Sequence, residues 1–310
     1  MSAVALLEGF AADRLLGDPR RWHPVAGFGI VAARAECAIY APTRRRGVVY
    51  ASVLVLAAAG LTEVLARATG PRGRSLVLVV VTWAALGGRS LTGEATKIAR
   101  LLEAGDLPAA RRALPALVGR DAAALDESDV CRAVVESVAE NTSDAVVGAL
   151  LWGAVAGPAG VVAFRAANTL DAMVGHRNER YASFGWGAAR LDDAMGWPAA
   201  RTTAVLAAAC APVVGGSPRA SVVAIRRDGA AHPSPNAGRV EAAFAGALGI
   251  RLGGRVAHDG RVEHRPFLGA GPSPDLRDVS RAVRLSIAVG FVSALLAASM
   301  RHLMRGRWAR

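Results

Sequence analysis

The sequence predicts an all-α, polytopic integral membrane protein, folded as a single membrane-embedded domain over residues 1–310. Composition is the first reason: 53% of the residues are hydrophobic and the mean hydropathy is +0.31, more than a soluble core of this length needs. Recurrence is the second. Residues 48–66, 76–91, 146–164, 202–215 and 285–300 are apolar stretches, each approaching the ~20 residues a helix needs to cross hydrocarbon. They predict about five apolar helices. The third reason is the setting of the polar residues. Carboxylates and carboxamides crowd both flanks of 146–164, a stretch without charge, and such groups at a bilayer edge are costly and usually functional.

Taken in order, residues 1–12 are apolar but carry Glu8 and no basic leader, which suits a folded segment better than a secretory signal. Residues 48–66 and 76–91, joined by a turn around Gly70-Pro71, suit a membrane hairpin. Glu63 lies in the first of these and several windows rely on alanine, features that buried helices of a soluble protein share. Asp126-Glu127-Ser128-Asp129 reads as the acidic first turn of a helix running through Glu136 and Glu140 to Asn141. Gly175 is a plausible carboxyl-terminal cap, and Pro198 opens a new helix bearing Arg201. The 202–215 window is short and holds Pro212, and residues 240–248 form a helix that Gly249 ends.

The formal charge of +12 is nearly all arginine, with Lys97 the one lysine, and it is scattered without aromatic interleaving. That pattern argues against a nucleic-acid surface and for lipid headgroups. Cys37, Cys131 and Cys210 have no paired spacing, and the six histidines are dispersed, so neither a disulfide framework nor a histidine metal cage is indicated.

The polar segments carry the chemistry. Gly17, Pro19 and Pro24 break residues 13–25 into turns, so Asp13, Asp18 and His23 project from a compact loop, although turn closure explains Asp18 before Pro19 equally well. Glu136, Glu140 and Asp144 recur every four residues and form one acidic stripe if the helix persists. Like charges at that spacing are mildly destabilising and no basic partner matches them, so the stripe reads as a place for magnesium or an amine; a solvated helix face is the alternative. Arg165, Asn168 and Asp171 share a helix side, offering a phosphate fork and two hard oxygen donors, or else an Arg–Asp pair tying down the helix end. Arg190-Leu191-Asp192-Asp193 adds adjacent carboxylates. Ser234 or Asn236 can cap the helix that follows, whose open first turn is an anion site.

Residues 13–25 (DRLLGDPRRWHPV), 119–121 (GRD), 135–146 (VESVAENTSDAV), 168–175 (NTLDAMVG), 190–193 (RLDD) and 232–254 (HPSPNAGRVEAAFAGALGIRLGG) resemble, in order and spacing, the adenosylcobinamide-phosphate synthase family of cobalamin biosynthesis, the CobD/CbiB type. The resemblance spans nearly the whole chain. Gly148-Ala149-Leu150 and Met195-Gly196-Trp197 depart from it, standing where a proline-containing turn and an asparagine before the proline are expected.

The resemblance implies a multi-pass inner-membrane ligase whose site faces the cytoplasm. It would join (R)-1-amino-2-propanol, or its O-phosphate, to the free propionate of adenosylcobyric acid, consuming ATP with Mg2+ and giving adenosylcobinamide or its phosphate. The corrinoid is substrate, not cofactor; membrane lipid and other corrinoid-assembly proteins are the implied partners, and nucleic acid is not one. A carboxylate must be activated before an amine can attack it, and the amine must arrive deprotonated. On this reading Glu136, Glu140, Asp144 and Asp171 serve magnesium or the amine, with Glu140, Asp144 and Asp171 nearest the metal. Asn168 orients, and Arg165 and Arg190 hold phosphate. Asp13, Asp18, His23 and Asp121 complete the pocket, with Asn141, Asp192, Asp193, Ser234 and Asn236 as further binding residues. No G-x-x-x-x-G-K-[ST] loop exists, so ATP is held by arginines and helix amino termini or by a partner protein. Cytoplasmic substrates require the motifs on one side, so Gly153, Gly157-Pro158 and Gly160 mark 146–164 as broken or re-entrant. Two rivals are a carrier for an anionic metabolite, against which the absence of a visible repeat argues, and a magnesium-dependent membrane transferase, whose aspartate-rich spacing is not matched.

Overall fold

The computed structural model describes residues 2–19, 23–119, 122–176, 178–258 and 261–308. Its helices are α1 (Ser2–Leu16), α2 (Pro24–Ile39), α3 (Arg44–Ala68), α4 (Gly70–Ala85), α5 (Gly88–Glu103), α6 (Leu107–Ala113) and α7 (Glu127–Thr142). A π turn, Ser143–Val147, leads into α8 (Gly148–Ala156), α9 (Pro158–Val174), α10 (Tyr181–Phe184), α11 (Trp186–Cys210), α12 (Pro218–Asp228) and α13 (Ala237–Leu248). The antiparallel hairpin β1 (Leu252–His258) and β2 (Arg261–Leu268) precedes α14 (Leu276–Trp308).

Three stretches among the described residues are long and apolar enough to cross a membrane: Arg44–Ala68, Gly70–Glu103 and Leu276–Met304. The windows at 48–66, 76–91 and 285–300 fall within them, whereas 146–164 and 202–215 do not form such helices. The reasons are local. Gly157, at φ 67°, ends α8, and Pro158 opens α9, so 146–164 is broken at the glycines that mark it in the sequence. Cys210 ends α11, and a 3-10 turn over Ala211–Val214 contains Pro212.

The chain forms two compact units. The first comprises residues 1–87, 144–199 and 293–310; the second comprises 88–143 and 200–292. In the first unit, one core joins Leu6, Phe10, Leu78, Leu150, Val161 and Phe164 with alanines from α1, α4, α8 and α14. A second core gathers Tyr50, Val55, Leu170, Val174 and Phe184. Small residues allow the close approach: a Cβ on Gly47 would stand 1.7 Å from the Phe184 carbonyl oxygen. The carboxyl end of α8 leaves carbonyls that α8 cannot satisfy. Buried Arg301 of α14 donates to Gly153 O and Ala154 O, each at 2.9 Å.

Pro198 does not open a helix; it lies inside α11. Proline there removes a donor and crowds the preceding turn. The Trp152 indole N–H donates to Met195 O at 2.9 Å, supplying a bond from outside the helix close to that break.

In the second unit α13 is buried along its whole length, packed on α12 and α7, and Gly249 at φ 71° ends it as expected. The Ser221 hydroxyl donates to Ala243 O at 2.8 Å. The hairpin is an element the helical reading omits. Its sequence signal is Asp259-Gly260 between two β-rich tetrads, RVAH and RVEH.

Candidate active site

In the first unit, residues from four separate motifs meet around Arg165. Its Nη1 donates to Asn168 Oδ1 at 3.1 Å, and Asn168 Nδ2 donates to Asp192 Oδ1 at 3.4 Å, linking α9 to α11. Burial pulls the guanidinium below its ordinary proton affinity, and Asp144, Asp18 and Asp192 oppose that fall. Carboxylates from the α1–α2 turn, the π turn and α11 therefore act on one buried cation. Two atoms in this cluster are buried without a hydrogen-bond partner, Arg165 Nε and Asp18 Oδ1. Such atoms are rare and call for an explanation, often a missing ligand.

The turn that carries Asp18 is held from three directions. Gly17, at φ 70°, ends α1, and its N–H donates to Asp13 O at 2.9 Å. The Trp83 indole donates to Gly17 O at 2.8 Å, tying the turn to α4. His23 caps α2, its Nδ1 accepting from Val25 N at 3.2 Å. Asp13 is buried at 1% exposure within α1 and does not project from a loop, because the helix runs to Leu16.

At the end of α9, burial raises the Asp171 carboxyl above the usual range; Asp193 adds to the rise and His176 opposes it. Arg190 pairs with Asp193 at 3.0 Å, and Arg165 bonds Asn168 rather than Asp171. Gly175 caps α9 in right-handed geometry, φ −74°, not the left-handed one. The glycine also leaves room for the backbone, since a Cβ there would stand 2.7 Å from Asp171 O.

The second unit places its motif residues differently. Buried Glu136 accepts from Gly253 N at 2.8 Å. One turn earlier, Arg132 donates to Gly253 O and, at 3.0 Å, to Arg255 O. Together they fix the root of the β hairpin, where Gly253 adopts φ 86° and a Cβ would stand 2.1 Å from Pro266 O. Glu140 is exposed, and Asn141 donates to Ser137 O at 3.0 Å. The Ser234 hydroxyl accepts from Asn236 N and Ala237 N at 3.3 and 3.2 Å, while Asn236 Oδ1 accepts from Arg201 at 2.8 Å. Ser234 thus caps α13, and Asn236 does not cap it with its side chain. Asp121 lies outside the described residues.

The acidic stripe does not continue through Asp144. The α-helix ends at Thr142, and Asp144 sits in the π turn, where four-residue spacing no longer returns a side chain to the same face.

A family model described as CobD/Cbib protein matches residues 6–286. The chain belongs to the CobD/Cbib family. The cobalamin biosynthesis protein CobD of Mycobacterium tuberculosis is 50% identical over 303 residues, covering 98% of this chain and 97% of the relative. The proteins of the same name from Chromobacterium violaceum and Rhodobacter capsulatus are 43% and 39% identical, covering 92% and 96% of this chain and 92% and 99% of the relatives. No solved structure matches.

For a CobD/Cbib chain the question is whether these residues fit Mg2+ and ATP phosphates. Among the described residues, no group of three or more histidine, cysteine or acidic side chains is arranged to hold a metal ion. Magnesium is commonly held by one or two carboxylates together with substrate phosphates, so a full protein cage is not required. Asp18, whose Oδ1 is buried without a partner, and Asp144, which also acts on the Arg165 guanidinium, are the oxygens that could take part in holding such an ion.

Sequence reasoning missed the clamp made by Arg132. It also missed Glu36, buried in α2, which accepts from Arg180 Nη2 and from the Tyr181 hydroxyl, both at 2.9 Å. The one signal was an isolated acid in an apolar helix, and its partners lie 144 and 145 residues away.

Proposed function

We propose that this chain acts in cobalamin biosynthesis as a membrane-bound ligase. It forms an amide bond between (R)-1-amino-2-propanol, or its O-phosphate, and the free propionate of adenosylcobyric acid at the expense of ATP. The observation that carries the reading is the meeting of Asp18, Asp144, Asn168 and Asp192 around Arg165, which unites four distant motifs in one polar cluster. Its location at the cytoplasmic face of the inner membrane belongs to the same proposal, because the substrates are cytoplasmic. Family membership and the names of the relatives support the pathway.

The chemistry asks for two things. The propionate needs an activated leaving group, which ATP supplies as phosphate, and the attacking ammonium must lose a proton. Arg165 and Arg190 bind phosphate oxygens, and Asn168, hydrogen-bonded to Arg165 and Asp192, orients the bound group. Asp171 serves as the base. Its raised proton affinity brings it closer to the operating pH, where general bases work best. Asp18 and Asp144 would hold Mg2+ together with substrate phosphates, and the ion would screen the phosphate charge. Asp13, His23 and Asp193 complete the pocket, with His23 acting from its capping position. Glu136 belongs to the hairpin anchor.

The test is mass spectrometry of the product formed by purified protein from adenosylcobyric acid, ATP, Mg2+ and aminopropanol or its phosphate. Adenosylcobinamide or its phosphate is expected, together with ADP and inorganic phosphate. ATP-independent uptake of a metabolite by proteoliposomes, with no amide product, would replace this reading with a carrier.

A further inference from the structure

The geometry points to a lipid site within the first unit: one acyl chain of a membrane phospholipid occupies the apolar cavity between α2, α3, α4 and α9. The cavity measures about 360 Å³, more than twice the ~150 Å³ of an engineered apolar cavity that binds benzene. Its floor is formed by Ala84, Ala85 and Ala166, all buried, and its rim by Pro24, Leu61 and Val80, all exposed.

The lining excludes a polar occupant. Thr62 and Thr169 turn their hydroxyls back onto their own helices, donating to Ala58 O at 2.8 Å and to Arg165 O at 2.7 Å. Arg165 is the one charged residue in the described lining, and its Nη1 is directed to Asn168. Water in such a space would find almost none of the two to four polar partners it needs.

The surroundings of the rim identify the ligand. Leu61 belongs to Arg44–Ala68 and Val80 to Gly70–Glu103, both apolar enough to cross a bilayer. Leu56, Val64, Leu65 and Leu76 are exposed on the same helices, so the medium at the opening is hydrocarbon. A lipid chain moves from hydrocarbon into the cavity without stripping polar hydration, and it restores the dispersion contacts that an empty void forfeits. Inside, it lies against the aliphatic stem of Arg165, which lines the cavity. This inference does not depend on the proposed reaction.

Full-length protein in nanodiscs of phosphatidylcholine bearing a diazirine at the acyl terminus tests it by mapping photo-crosslinks. Chain-end label is expected on the peptide containing Ala166 as well as on the outward Leu56 and Leu65. The same lipid labelled on its headgroup is expected to leave the Ala166 peptide unmarked. Ala84→Phe fills the floor and should reduce Ala166 labelling several-fold while Leu56 labelling stays constant. Where that variant does not fold, the chain-end and headgroup probes on the wild-type protein decide alone. Absence of chain-end label at Ala166, equal labelling there by the headgroup probe, or unchanged labelling in folded Ala84→Phe would overturn the proposal.

Discussion

Arg165 and Glu136 are both ionisable, both belong to the polar motifs, and both sit among apolar helices, yet their partners are of different kinds. Glu136 accepts a backbone N–H of the β hairpin, and its neighbour Arg132 donates to two backbone carbonyls of the same hairpin. Arg165 instead answers to side chains, bonding Asn168 and feeling three carboxylates, and it retains a buried N–H without an acceptor. Backbone partners hold an element in place. Side-chain partners with donor or acceptor capacity left over leave room for a ligand. The motif marks where a polar group is needed, and the partner type separates anchoring from chemistry.

The largest expected effect lies at Arg165. Replacing it with Met should lower turnover by about 100- to 1,000-fold, the scale for removing an electrostatic stabiliser of a transition state. Thermal stability should hold, because the substitution also removes a partly desolvated charge. A large fall in melting temperature would show that Arg165 is an anchor like Glu136 and would erase the contrast.

Glu136→Ala comes next. It strands the Gly253 N–H and should cost about 1–3 kcal/mol of stability, read from the melting temperature or a denaturant midpoint. Asp171 offers a smaller and more specific measure. As a base with raised proton affinity, it should place the acid limb of the rate profile above the ordinary carboxylate range, activity falling as pH drops through it. Asp193→Asn removes a repelling charge and should move that limb to lower pH by up to about one unit. An unmoved limb would remove Asp171 from the role. The smallest effect belongs to Glu136→Gln, which keeps an acceptor for Gly253 N while losing the charge. Turnover and melting temperature near those of the wild type are expected; loss of turnover alone would make Glu136 a participant in catalysis.

Much of this was legible beforehand because helix signals are local. The acidic start of α7, the glycine that ends α13 and the break at Gly157-Pro158 each act within one turn and read directly from the chain. Pairings across the sequence were not legible. Nothing at Glu136 announces Gly253, 117 residues away, and nothing at Glu36 announces Arg180. Two misreadings came from assuming regular geometry: the stripe through Asp144 presupposed an unbroken α-helix, and the start at Pro198 presupposed that proline must begin one. The departure at Gly148 also gains a physical meaning. A Cβ there would stand 2.1 Å from the Phe164 ring, so the glycine makes room for an aromatic side chain.

The π turn at Ser143–Val147 has a consequence for how this region tolerates length changes. A π turn holds one residue more than an α turn, so deleting a single residue from it can restore an uninterrupted α-helix. Such a deletion would swing every side chain downstream by about 100°. The extra residue is a phase offset written into the chain at Ser143–Val147.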